Sequence, residues 1–118
     1  MTSKEEIASQ LNAMQQAKAK VQVYKDVIAS VAKYEQTLMR KHGEAKKRCE
    51  RLAKQGKTSQ AYLSAVSDSV LLSFKTLEAQ KMRAALMEVC IEITGDYLAQ
   101  EEALVKLSKQ IDEEEAKG

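Results

Sequence analysis

The 118-residue chain contains no proline and no tryptophan, and it has only four glycines. Proline breaks helices and glycine weakens them, so few positions of this sequence can interrupt a helix. Aromatic residues are also scarce, at four tyrosines and one phenylalanine, which argues against the compact core of an ordinary globular enzyme. Abundant Ala, Lys, Glu, Gln, Leu and Met favour long exposed helices instead. The composition therefore predicts a single helical domain that covers residues 1–118.

Groups suited to catalysis or metal binding are equally few. The chain has one histidine, His42, and two cysteines, Cys49 and Cys90, which do not form a CxxC pair. A metal site made of His and Cys needs more ligands than these, and the sequence has no complete phosphate-binding loop. Nothing in the sequence places a nucleophile or a carboxylate beside His42. We predict that the protein is not an enzyme and uses no cofactor and no metal, with both cysteines reduced and packed.

Long hydrophobic segments are missing as well. No apolar run approaches the roughly 20 residues that span a bilayer. The polar start, Met1–Gln10, lacks the apolar core of a signal peptide. We therefore expect a cytoplasmic protein, either free or bound peripherally to a membrane.

Apolar residues recur every seven positions, the spacing of one face of a helix. Two such series lie in the first half of the chain and one lies in the second half. The first-half series are Ile7, Met14, Val21 and Ile28, and Tyr24, Val31, Leu38, Ala45 and Leu52. The second-half series is Leu63, Val70, Leu77, Ala84, Ile91, Leu98 and Val105. These series predict two long helices.

The internal glycines indicate where these helices end. Gly56 is followed by Lys57, Thr58 and Ser59, so it can take the left-handed C-cap conformation while Thr58 or Ser59 caps the next helix. The apolar series keep their phase through Gly43 and Gly95, which favours kinks there rather than turns. Ser3 has the capping-box spacing to Glu6, which predicts the start of the first helix.

Together these signals predict an all-α fold, a long antiparallel helical hairpin with its turn near Gly56 and kinks near Gly43 and Gly95. Its helices should be about 50 and 55 residues long. The alternative is a compact three- or four-helix bundle with turns at all three glycines.

A two-helix hairpin cannot bury these apolar faces by itself. Each face is wider than a two-stranded seam, so further helices must come from outside the hairpin. A second copy of the chain in a homodimer is the simplest source, and a helical protein partner in a larger bundle is the alternative. We predict the assembly interface at eight apolar residues: Val31, Leu38, Leu63, Val70, Leu77, Ile91, Leu98 and Val105.

Charge is segregated along the chain. Residues 40–57 contain eight Lys/Arg against two Glu, a net charge of +6, whereas residues 88–118 carry −6. In a hairpin the basic segment lies at the turn, where it can meet an anionic membrane at about 1 kcal/mol for each cation. The predicted membrane- or anion-binding residues are Arg40, Lys41, Lys46, Lys47, Arg48, Arg51, Lys54 and Lys57.

Two other interpretations of the basic segment remain. Nucleic acid is attracted by the same charges, but no aromatic residue lies between Arg40 and Lys57 to stack on bases, which argues against sequence-specific readout. The second is an ordinary solvated helix face, which the density of eight cations in eighteen residues makes less satisfactory.

Short segments between residues 20 and 111 carry a family resemblance. They are Ala32-Lys33-Tyr34-Glu35, Glu44-Ala45-Lys46-Lys47-Arg48, Ser67-Asp68-Ser69, Ser73-Phe74-Lys75 and Met82-Arg83-Ala84-Ala85-Leu86-Met87-Glu88. These segments are similar to motifs of the C-terminal BAR region of sorting nexins, the PX-BAR proteins of endosomal coats.

The resemblance implies that the two helices correspond to the second and third helices of a BAR domain. Members of that family dimerise into a curved helical module whose basic surface binds anionic membrane. For this chain it implies lipid contacts by the eight basic residues, an endosomal location and a role in vesicle trafficking and protein transport. The residues alone leave an alternative function open, a cytosolic coiled-coil adaptor or chaperone-like subunit that binds a protein partner through its apolar helical face.

Overall fold

The computed structural model describes residues 4–117, which form an all-α helical hairpin. The first helix, α1, covers Lys4–Ala53 with 50 residues, and the second, α2, covers Gln60–Lys117 with 58 residues. The prediction of two long helices is confirmed. The alternative compact bundle is wrong, because α1 continues through Gly43 and α2 continues through Gly95. Ser3, the predicted cap of α1, lies outside the described residues.

The turn between the helices contains Gly56, whose φ of 146° lies in a region that favours glycine. The backbone N–H groups of Gln55 and Gly56 donate to the carbonyl of Leu52 at 3.0 and 3.2 Å, which closes the end of α1. The N–H of Tyr62 donates to the Ser59 hydroxyl at 3.2 Å, so Ser59 caps the start of α2. The predicted turn is therefore confirmed, and Ser59 is the capping residue.

Contacts within the hairpin cluster into two units, and each unit contains a piece of both helices. The turn unit is Ile28–Ala85, and the terminal unit combines Met1–Val27 with Leu86–Gly118. In the turn unit, Glu35 of α1 contacts Arg83 of α2. In the terminal unit, the side chain of Gln10 is hydrogen-bonded to Gln100. The two helices are antiparallel in both units.

Each helix places one coiled-coil pattern against the other helix. The residues of this pattern follow each other at spacings of three and four and are all buried or half-buried, and we call them the seam. The α1 seam is Ile7, Gln10, Met14, Ala17, Val21, Tyr24, Ile28, Val31, Glu35, Leu38, His42, Ala45, Cys49 and Leu52. The α2 seam is Tyr62, Ala65, Ser69, Leu72, Thr76, Ala79, Arg83, Leu86, Cys90, Ile93, Tyr97, Gln100, Leu104, Leu107 and Ile111.

The two apolar series of the first half belong to the seam of α1, but the series of the second half does not belong to the seam of α2. It begins one residue after Tyr62, which places it about 100° further around the helix. All its members are exposed, and we call them the outer stripe. The outer stripe is Leu63, Val70, Leu77, Ala84, Ile91, Leu98 and Val105.

Burial within one chain is therefore limited. Four apolar side chains among the described residues are buried, namely Val21, Leu38, Ala65 and Ala79, whereas sixteen large apolar side chains are exposed. Two helices share a single line of contact, so the remaining apolar surface of each faces solvent. Much of the apolar side-chain surface of the hairpin is therefore exposed.

Candidate functional site

The eight basic candidates all lie at the surface of the turn unit. Six occupy the last four turns of α1, and Lys54 and Lys57 lie in the turn. Two of them have acidic partners: Arg40 pairs with Glu44 at 2.8 Å, and Arg48 lies 4.0 Å from Asp68. Exposed ion pairs of this kind contribute little to stability.

The other six basic candidates form no ion pair with any described residue. Arg51 lies in the last turn of α1. The dipole of α1 is negative at this end and favours a cation there. Lys46 and Lys47 lie further from the helix end and are exposed.

A groove of about 480 Å³ lies between α1 and α2 in the turn unit. Lys41, Glu44, Arg48 and Arg51 of α1 line one side of the groove, and Asp68, Leu71 and Leu72 of α2 line the other. Leu71 is 54% exposed. The groove thus combines three cations and two carboxylates with an apolar wall, and its charged lining has a net charge of +1.

Charge differs strongly between the two units. The turn unit has twelve Lys/Arg and five Asp/Glu, a net charge of +7, and the terminal unit has seven Lys/Arg and twelve Asp/Glu, a net charge of −5. The near-neutral total of the chain hides this difference. Each unit is consequently a strongly charged body of its own sign.

The eight residues predicted to form the assembly interface divide into two groups. Val31 is half-buried and Leu38 is only 4% exposed, and both lie on the seam, where they pack within the chain. The six α2 residues belong to the outer stripe and face solvent. Their exposed fractions lie between 46% and 71%, for Leu63, Val70, Leu77, Ile91, Leu98 and Val105.

The outer stripe of the turn unit lies on a helix face with little charge. Between Thr58 and Leu77 the only charged residues are Asp68 and Lys75. Phe74, which is 60% exposed, lies one turn from Val70 and extends the apolar surface. Exposed apolar surfaces are a common feature of protein- and membrane-interaction sites.

A charged pair replaces apolar residues on the seam of the turn unit. Arg83 donates from Nε to Oε2 of Glu35 at 2.6 Å, and Glu35 is only 7% exposed. The hydrogen bond to Glu35, and then the attraction of its charge, raise the pKa of Arg83. Sequence reasoning missed this pair, although the apolar series that includes Ile28 stops where Glu35 follows seven residues later.

The seam of the terminal unit is also partly polar. The Gln10 amide donates to the backbone carbonyl of Gln100 at 3.3 Å. Tyr97 lies one turn before Glu101, and a hydrogen bond to that carboxylate, together with burial, raises the pKa of the tyrosine. Polar side chains therefore occupy contact positions while the apolar residues of the outer stripe remain exposed.

The residues considered for chemistry also lie on the seam. His42, Cys49 and Cys90 are half-buried, and both cysteines are free thiols. Within residues 4–117, no three His, Cys, Asp or Glu side chains are grouped so that they could hold a metal ion. Neither α1 nor α2, over its described length, has a stretch apolar enough to cross a membrane.

Comparison of the chain with protein-family models, curated proteins and solved structures finds no match. The resemblance to the BAR region of sorting nexins therefore stays a prediction that rests on its short segments. The surface formed by the eight basic candidates is called the basic surface below. The candidate site consists of the basic surface, the groove beside it and the outer stripe.

Proposed function

We propose that this chain is a non-enzymatic helical assembly module whose basic surface docks on anionic membrane while the outer stripe joins another helical surface. The observation that carries the proposal is the turn unit itself, which has a net charge of +7 and large exposed apolar residues. A BAR-like role in vesicle trafficking is one form that such a module can take.

The cations support membrane docking because six of them have no partner among the described residues. Lys and Arg near an anionic bilayer are each attracted by about 1 kcal/mol at physiological salt. Lys46 and Lys47, for example, are exposed and lie outside the α1 seam. Several weak attractions that act together give useful affinity without any lipid-specific pocket.

Apolar residues beside the cations support a membrane surface rather than a purely ionic partner. Leu71 lies on the wall of the groove that Lys41, Arg48 and Arg51 line. In a bilayer interface the cations would meet head groups while an exposed leucine reaches the acyl boundary. Nucleic acid offers no comparable environment for an exposed leucine in the absence of unstacked bases.

The outer stripe supports assembly because its large apolar side chains are between 46% and 71% exposed within one chain. Fully burying a Val, Leu or Ile side chain contributes roughly 1.5–3 kcal/mol. Six half-exposed side chains therefore leave several kcal/mol of stabilisation to be gained from a partner surface.

The direct test is co-sedimentation with phosphatidylserine-containing and neutral phosphatidylcholine vesicles, at low and physiological salt. We expect binding to the anionic vesicles alone, weakening as salt screens the charges. Replacing Lys46, Lys47, Arg51 and Lys54 together by Glu should abolish binding. Helix content, measured by circular dichroism, should stay unchanged because all four side chains are exposed.

The matched control replaces four other exposed lysines by Glu, which are Lys18, Lys20, Lys25 and Lys33. This variant has the same total charge as the first, so it should still bind if the location of the charge matters. Equal loss of binding in both variants would reduce the proposal to a general charge effect, and no binding by the unaltered chain would refute membrane docking.

The outer stripe also favours a second candidate function, a coiled-coil adaptor that binds a helical protein partner. In that function the charges serve solubility and the apolar contact dominates. A partner complex that resists high salt and is lost when Leu77 and Ile91 become Glu would favour the adaptor over the membrane module.

A further inference from the structure

We infer that the outer stripe is occupied by a second copy of this chain, with the two α2 helices antiparallel and crossing at Ala84. This inference rests on the assembly part of the proposed function and names its partner. Three independent observations support it: the symmetry of the outer stripe, the charges of the two units, and a glycine in α2 that nothing within the chain requires.

The outer stripe is symmetric about its middle residue. Ala84 is the fourth of seven members, with three large apolar residues on each side of it in sequence. If two α2 helices pair antiparallel at Ala84, Leu77 of one copy lies level with Ile91 of the other, and Val70 lies level with Leu98. Leu63 then meets Val105. The small side chain at the crossing point lets the two backbones approach closely.

The net charges of the turn unit and the terminal unit favour an antiparallel pair over a parallel one. In this pairing the turn unit of one copy, at +7, lies beside the terminal unit of the other, at −5. A parallel pairing would instead place the two turn units, both at +7, side by side and would be repelled. The antiparallel dimer therefore converts the charge segregation of one chain into two attractive contacts.

A specific ion pair follows from the same register. Lys81 and Glu88 both occupy the heptad position that flanks the outer stripe. Lys81 lies three residues before Ala84, and Glu88 lies four residues after it. Antiparallel pairing brings Lys81 of each copy within one residue, about 1.5 Å of axial rise, of the level of Glu88 in the other. Lys81 and Glu88 are both exposed within one chain.

Gly95 gives the third observation. Glycine in a helix interior costs about 1 kcal/mol relative to alanine, yet a Cβ atom at Gly95 would meet nothing within 4 Å in this chain. In the antiparallel pair, Phe74 of the other copy lies within one residue of the level of Gly95 and on the same side of the outer stripe. A missing Cβ there makes room for an aromatic ring that is 60% exposed in the single chain.

Cysteine cross-linking tests the register. In a background with Cys49→Ala and Cys90→Ala, Ala84→Cys should form an interchain disulfide under mild oxidation, because the two residues meet at the symmetry axis. Ala85→Cys is the matched control, since Ala85 is also an exposed alanine but lies about 100° around the helix. We expect a covalent dimer for the first variant and none for the second. Leu63→Cys should cross-link only when mixed with Val105→Cys.

Exchanging the charges at Lys81 and Glu88 tests the pairing in a second way. These variants keep both native cysteines. Lys81→Glu and Glu88→Lys should each weaken the dimer about tenfold, because each creates two like-charge pairs. A 1:1 mixture of the two variants should form heterodimers in which both pairs are attractive again. Sedimentation equilibrium of each variant and of the mixture measures this, with circular dichroism to verify that each variant is folded.

Several outcomes would overturn the inference. Self-cross-linking of Leu63→Cys would indicate a parallel pair, and equal cross-linking at residues 84 and 85 would indicate random collision. A chain that is monomeric at its highest soluble concentration would refute self-pairing altogether. Vesicle binding by such a monomer would leave the proposed membrane function standing, so the two failures can be told apart.

Discussion

At the scale of single residues, the two partners of the ion pair between Glu35 and Arg83 differ in how far they are buried. The carboxylate is 7% exposed, whereas the side chain of Arg83 is 37% exposed. Removing the arginine strands a buried charge, while removing the glutamate leaves an arginine that can reach water. The two single substitutions should therefore have unequal costs.

We predict that Arg83→Leu lowers the free energy of unfolding by about 1–3 kcal/mol, because Glu35 loses its charged hydrogen-bond donor. Glu35→Leu should cost less. The double variant Glu35→Leu with Arg83→Leu should be as stable as the unaltered chain or more stable, since two leucines suit a seam. Urea denaturation of all four proteins at one concentration measures these differences, and an additive loss in the double variant would contradict the prediction.

At Gly95, the stability of the single chain and the inferred pairing of two chains favour different residues. Gly95→Ala should stabilise the isolated hairpin by about 1 kcal/mol through helix propensity. The same substitution should weaken the inferred dimer severalfold, because the added methyl group meets Phe74 of the second copy. Thermal unfolding at low concentration and sedimentation equilibrium separate the two effects.

Gly43→Ala provides the comparison for this prediction. Gly43 also lies inside a helix, and a Cβ atom there would likewise meet nothing within 4 Å. It lies on α1, away from the inferred pairing surface, so its substitution should stabilise the chain and leave association unchanged. Weaker association in both variants would show that Gly95 has no special position.

At the scale of helices and turns, the start of α2 depends on one hydroxyl. Ser59 accepts a hydrogen bond from the Tyr62 N–H at 3.2 Å, and no such bond is formed by the hydroxyl of Thr58 with the described residues. We predict that Ser59→Ala lowers the free energy of unfolding by about 1 kcal/mol and that Thr58→Ala has little effect. Urea denaturation checks both, and equal effects would mean that the cap is shared.

The helices differ in how well their contact faces could be predicted. On α1 the apolar series and the seam coincide, because the residues that pack, such as Val21 and Leu38, are also the large apolar ones. On α2 the seam includes Ser69, Thr76 and Arg83, so the strongest apolar periodicity in the sequence belongs to the outer stripe instead. Periodicity identifies an apolar face but does not say which partner covers it.

The turn could be predicted from the sequence for local reasons. Gly56 and Ser59 act through backbone geometry and capping within a few residues, which sequence alone can indicate. The density of cations near the turn is visible in the sequence, but their spatial arrangement is not. Which of them pair, and which line the groove with Leu71, depends on α2 residues that are distant in sequence.

At the scale of the whole molecule, two surfaces with different chemistry lie on different helices. The cations belong to α1 and the turn, and the outer stripe belongs to α2. The proposed membrane binding and the inferred pairing with a second chain would therefore not compete for the same surface. A dimer would present two basic surfaces in one assembly, which multiplies the effect of weak charge contacts on vesicle affinity.

The Glu35–Arg83 pair of the seam also favours one rotation of α2 about its own axis. Turning α2 by the 100° of a single residue would bring the more apolar outer stripe against α1, so the hairpin has a competing arrangement with an attractive core. That rotation would carry Arg83 away from Glu35 and leave a carboxylate without a partner in an apolar interface. The charged pair thus opposes this rotation and favours the arrangement in which the outer stripe faces solvent.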